Sequence, residues 1–123
     1  MPRKAIIGLE SEEETLRRSL EMARKLGKGK PVPEADYHLN FETAAQLFAE
    51  LTYQRLRTLE TLKILGPQSI YALAKELGRH YSSVHRDIAC LMEHGLVEKD
   101  EEKKVFVPWE AIEIHVSLAT KAA

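Results

Sequence analysis

Apolar residues along this chain recur at two periods, and the switches between them divide it into elements. The run KAIIGL, from Lys4 to Leu9, predicts a short strand. Ser11 follows, with Glu14 three residues on, the spacing at which two side chains cap each other's backbone N–H at a helix start. Glu12, Glu13 and Glu14 also suit the positive end of that helix. Its apolar positions, Leu16, Leu20 and Ala23, form one stripe, and Gly27 ends it. Lys28 to Pro33, KGKPVP, has the composition of a linker. From Ala35 to Phe41 the pattern alternates, with Tyr37, Leu39 and Phe41 on one face and Asp36, His38 and Asn40 on the other. That is the pattern of a half-buried strand.

The helical period then takes over. Thr43 can cap a short helix holding Leu47, Phe48 and Leu51. Thr52 can cap another, with Leu56, Leu59, Leu62 and Leu65 as its stripe and Gly66-Pro67 as its stop. Ile70, Leu73, Ala74 and Leu77 mark a third short helix, closed by Gly78. In the next helix Val84, Ile88, Leu91 and Met92 face inward, leaving Tyr81, Ser82, Ser83, His85 and Arg86 outside; Gly95 closes it. A charged hairpin follows, roughly Glu98 to Val107. Helix, tight break, helix, hairpin is the plan of a winged helix-turn-helix. Ile112, Ile114, Val116 and Leu118 then alternate with Glu113, His115 and Ser117 as a third strand. The fold class predicted is α+β. It comprises a strand–helix–strand extension at residues 1–40, a winged helix-turn-helix core at 41–108 and a C-terminal strand and tail at 109–123.

Composition narrows the setting. A chain of 123 residues, 44% hydrophobic and 30% charged, is globular and long enough to bury a core. No apolar run approaches a membrane span, and the acidic N-terminal stretch does not suit a signal peptide. One cysteine excludes an internal disulfide and suits a reducing cytoplasm. The net charge of −1 provides no global field to draw the protein onto DNA. Any such binding rests on a local patch, for which Lys75, Arg79, His80, His85 and Arg86 around the helical pair and Lys103 and Lys104 in the hairpin are available.

Leu77-Gly78-Arg79, then Val84-His85-Arg86-Asp87, then Gly95-Leu96-Val97 resemble a small prokaryotic family of winged-helix transcriptional regulators, related in fold to the MarR and ArsR groups. The resemblance runs from Phe41 to Ile114 and implies DNA binding and transcriptional control. Where that family usually has an acidic residue this chain has His80, which removes the usual N-cap acceptor and adds a potential cation. Some related regulators act as antitoxins, so a toxin or another protein partner is the alternative to DNA.

The expected DNA-binding residues are Arg79, His80, Tyr81, Ser82, Ser83, His85, Arg86, Lys103 and Lys104. Arginine suits bidentate contact with guanine, while serine and histidine offer adaptable hydrogen bonds to bases or phosphate. The plainer alternative for Arg86 is an ion pair with Asp87 or another carboxylate; for the hairpin lysines, it is opposition from Asp100, Glu101 and Glu102. Cys90 and His94, four residues apart, share a helix face, but two ligands do not make a metal site. No third ligand is evident nearby, so Cys90 reads as structural and no metal or cofactor is expected. Trp109 reads as an aromatic fixing the hairpin rather than as a pocket wall. No nucleophile–base pair or phosphate-binding glycine loop appears, so no enzymatic activity is expected. The surplus strands and helix around the core point to a homodimer on paired DNA half-sites.

Overall fold

The computed structural model describes residues 3–10, 12–27 and 37–118. In chain order the elements are β1 (Lys4–Leu9), α1 (Glu12–Gly27), β2 (Tyr37–Phe41), α2 (Ala44–Glu50), α3 (Tyr53–Leu65), α4 (Ile70–Leu77), α5 (Tyr81–Glu93), β3 (Glu98–Lys99), β4 (Val105–Phe106) and β5 (Ala111–Ile114). The class is α+β, as the periodicity predicts. Among the described residues two units form: 50–110 with Arg3, and 4–49 with 111–118.

The unit spanning 50–110 is built from well-terminated helices. Thr52 and Ser69 have extended backbones, and their hydroxyls accept from Arg55 N at 3.3 Å and Ala72 N at 3.1 Å. Each thereby satisfies a first-turn N–H that has no partner within its helix. α4 and α5 both stop where a glycine enters the left-handed region, Gly78 at φ 66° and Gly95 at φ 76°. Arg79 N then bonds Ala74 O, and Leu96 N bonds Leu91 O, each at 3.0 Å. A side chain at either glycine would strain this reversal.

Leu59 and Leu62 of α3, Leu73, Ala74 and Leu77 of α4, and Val84, Ile88 and Leu91 of α5 are buried together with Leu96, Val97 and Val105. Each large aliphatic side chain removed from water contributes about 1.5–3 kcal/mol. The α3 stripe is narrower than predicted, since Leu56 is only half-buried and Leu65 is exposed. β3 and β4 pair antiparallel, and Gln68 adds a bridge to Val105, with N–H···O bonds of 3.0 and 2.8 Å. Trp109 is buried; its Nε1 donates to Gly95 O at 2.9 Å and the Arg3 guanidinium lies 4.6 Å from its ring centroid. It fastens the segment after the hairpin to the turn that closes α5.

In the other unit, β1 is the central strand of a parallel sheet ordered β2-β1-β5. Ile7 lies opposite Leu39 on one side and Ile114 on the other. Flanked on both edges, β1 has Ala5 and Ile7 fully buried. All three strands therefore lie where the alternation predicts, but they pair with one another instead of standing surplus. β5 is shorter than expected, ending at Ile114.

Thr43 caps α2, accepting from Gln46 N at 3.1 Å. The stripe on α1 stands uncovered within the single chain, as a surplus helix implies: Leu16 is 61% and Leu20 55% exposed, and Ala23 is exposed too. Periodicity fixes which residues share a face, not whether a second surface covers it. Ser11, the Lys28 to Pro33 stretch, Ala35 and Asp36 lie outside the described residues. Among the described residues no helix is long and apolar enough to cross a membrane.

Candidate nucleic-acid interface

Asp87 occupies an inward position of α5, three residues after Val84, and is only 8% exposed. Its Oδ2 accepts from Arg79 Nη1 at 2.7 Å and its Oδ1 from Arg55 Nε at 3.2 Å. Arg79 Nη1 also lies 3.4 Å from the fully buried Thr58 Oγ1, which donates to Gln54 O at 2.8 Å. One carboxylate thus fixes α3, the turn between α4 and α5, and α5 itself. Arg57 adds a tie from α3, donating to Leu77 O at 3.3 Å.

This clamp re-sorts the arginines. Arg79, expected to meet DNA, instead points inward with its side chain 18% exposed. Arg86 cannot share Asp87, because successive helical side chains diverge by roughly 100° around the axis. It is exposed and has no ion-pair partner among the described residues. The signal for the clamp was an acid inside an apolar stripe; its partner Arg55 carries no local mark.

Around Arg86, His80, Tyr81, Ser82 and His85 are also exposed. The Tyr81 and His85 rings lie with centroids 5.8 Å apart. Ser83 is half-buried and lines an open cleft with Ala74, Lys75, Gly78, Arg79 and His80. His80 has the extended backbone of an N-cap but forms no side-chain cap bond. Its carbonyl accepts from Ser83 N and Val84 N, both at 3.1 Å.

At the hairpin tip Asp100 serves the turn, its Oδ1 accepting from Glu102 N at 2.8 Å and Lys104 N at 3.0 Å. It is therefore tied to the backbone rather than standing as one of three free acids. Lys103 is exposed at φ 65°, and Lys104 Nζ lies 3.5 Å from Glu102. That exposed pair is weak, worth about 0–1 kcal/mol.

A different cluster lies at the opposite end of α5. Glu50 Oε2 is 3.2 Å from His94 Nε2 and accepts from Cys90 Sγ at 3.5 Å. The His94 contact, then the Cys90 contact, hold the Glu50 carboxyl below its ordinary value, whereas burial pushes the Cys90 thiol up. The expectation that Cys90 and His94 lack a third candidate ligand is thus corrected by Glu50, which tertiary folding brings in from 40 residues away.

The family model HVO_A0114 matches residues 50–114, just over half of the chain. No curated protein and no solved structure matches it.

Proposed function

The chain belongs to the HVO_A0114 family, and we propose that it is a winged helix-turn-helix protein that binds duplex DNA as a homodimer and regulates transcription. In this reading α4 supports α5, α5 enters the major groove, and β3–β4 with the Gln68 bridge forms the wing. The observation that carries it is the outward face of the first half of α5. Tyr81, Ser82, His85 and Arg86 stand exposed there, and Arg86 has no ion-pair partner among the described residues. Arg86 suits guanine O6/N7; Ser82, Ser83 and His85 suit base edges or phosphate. His80, Lys75, Lys103 and, less freely, Lys104 supply backbone contacts. Arg79 acts through Asp87 as a positioning residue. Binding over a promoter pseudo-palindrome would regulate sterically, within a reducing cytoplasm that suits the lone Cys90.

Selection of bound fragments from genomic DNA by the purified protein tests this. About 3–5 phosphates per subunit give a dimer a log–log salt slope of roughly −5 to −9. A Ser82→Ala, His85→Ala, Arg86→Ala variant should lose sequence preference and most affinity; unchanged binding rules out this surface. The second reading, a protein-docking module such as an antitoxin, draws on the net charge of −1 and on exposed Tyr53, Ile64 and Tyr71. Failure of the native protein to bind any fragment at low salt selects it.

A further inference from the structure

We propose that Glu50, Cys90 and His94 form a three-ligand site for a borderline-soft divalent metal ion, with Zn²⁺ the best fit. Their donor atoms, a carboxylate oxygen, a sulfur and an imidazole nitrogen, all lie within 4.8 Å of one another. Thiolate with imidazole selects zinc over the hard cations magnesium and calcium. Two edges of the triangle already have coordination length. Ordinary zinc bond lengths at a tetrahedral angle space sulfur and oxygen ligands about 3.5 Å apart, and nitrogen and oxygen about 3.3 Å. The observed separations are 3.5 Å for Cys90–Glu50 and 3.2 Å for His94–Glu50. Only the sulfur–nitrogen edge must settle near about 3.6 Å.

The local field also favours a cation. Cys90 lies in the last turn of α5 and His94 is its C-cap, at the negative end of the helix dipole. Glu93 is close enough to act on the Cys90 sulfur electrostatically. The opposing charge is Arg55, 3.8 Å from Glu50 Oε2. Its guanidinium is already committed to Asp87 and to the Glu50 carbonyl, at 3.2 and 2.8 Å. Glu50 and His94 remain partly open to solvent, which leaves room for water or another ligand at a fourth position. Metal entry would release the thiol proton to solvent and join sulfur, nitrogen and oxygen to one ion. Glu50 is the last residue of α2 and lies in the 50–110 unit with Cys90 and His94, so the ion would fasten the two ends of that helical run, Glu50 and the end of α5, within one unit. The site stands independently of DNA binding.

A hydrogen-bonded triad without metal would show the same two distances, so the test must read the sulfur bond directly. Untagged full-length protein, stripped with chelator, is titrated with Co²⁺ and then Zn²⁺. The expected result is one equivalent of Co²⁺ bound, a near-ultraviolet thiolate-to-cobalt band with strong four-coordinate visible bands, and their loss on adding Zn²⁺. Cys90→Ser should abolish the thiolate band. Glu50→Gln and His94→Ala should weaken binding by at least about tenfold, the loss that even an outer-shell partner can cause. Circular dichroism checks that each variant is folded, and Glu50→Gln, at a half-exposed position, tests the site if Cys90→Ser does not fold. Absence of the thiolate band at saturating Co²⁺, or unaltered affinity in folded Glu50→Gln and His94→Ala, overturns the proposal.

Discussion

Asp87 faces two guanidinium groups from an almost solvent-free position and neutralises charge on both. Without the carboxylate, Arg55 and Arg79 would be left partly buried, like-charged and unpaired. Asp87→Ala should therefore cost about 3–5 kcal/mol in urea-induced unfolding. Arg86→Ala, one residue away but exposed, should change stability by no more than about 0.5 kcal/mol while weakening DNA binding. Equal losses from the two variants would show that the clamp does not support the unit. At this scale the sequence was only half legible: apolar spacing marks position 87 as inward, while its partners come from a different helix and a turn. Glu50 was less legible still, because a lone acid at the end of a short helix resembles any solvated glutamate until folding brings Cys90 and His94 beside it.

Helix ends were read more successfully than helix faces, because a cap is a local contact and a buried face is not. Thr43 and Thr52 cap where their side chains imply, and Gly78 and Gly95 reverse the chain where a Cβ would resist; the Ser69 cap on α4 is a finding of the structure alone. α5 starts without such a bond, as a histidine at position 80 implies: His80 has the cap backbone but not the cap bond. His80→Asp should supply the missing acceptor and raise stability by about 0.5–2 kcal/mol in thermal or urea unfolding. The same change puts a negative charge beside the proposed phosphate-facing surface, so DNA affinity should fall as stability rises. A variant that gains both, or neither, contradicts the placement of His80 at that surface. At α1 the stripe showed which residues share a face, and Leu16 and Leu20 on it are exposed.

For the molecule as a whole, the case for a dimer has changed its footing. Ile7, on the first of the strands that the sequence leaves surplus, is buried in the chain's own sheet, so these strands do not demand a partner. Leu16, Leu20 and Met22 on α1 remain uncovered, and a second copy of the chain is the partner expected there. Sedimentation at micromolar concentration should give about twice the 14.0 kDa chain mass, and a Leu16→Glu, Leu20→Glu variant should sediment as a monomer. A native protein that sediments as a monomer would sink the dimer. Alternation located the strands but not their neighbours: period two states which side chains share a face and nothing about which strand lies alongside.

The register that pairs Lys4 with Ala111 also has a consequence in time. β1 is synthesised before the 50–110 segment and its β5 partner only after it, so that edge waits open while the segment is made. Joining such distant segments of a free chain carries a closure entropy of about 4 kcal/mol, from the logarithmic dependence on loop length. The folded 50–110 unit already holds Arg3 O to Glu110 N at 2.8 Å, with Arg3 over the Trp109 ring. Those contacts sit one residue before Lys4 and Ala111. The cost of bringing the two ends together is thus met while the helical unit forms, and the last strand can add by zippering rather than by a long-range search.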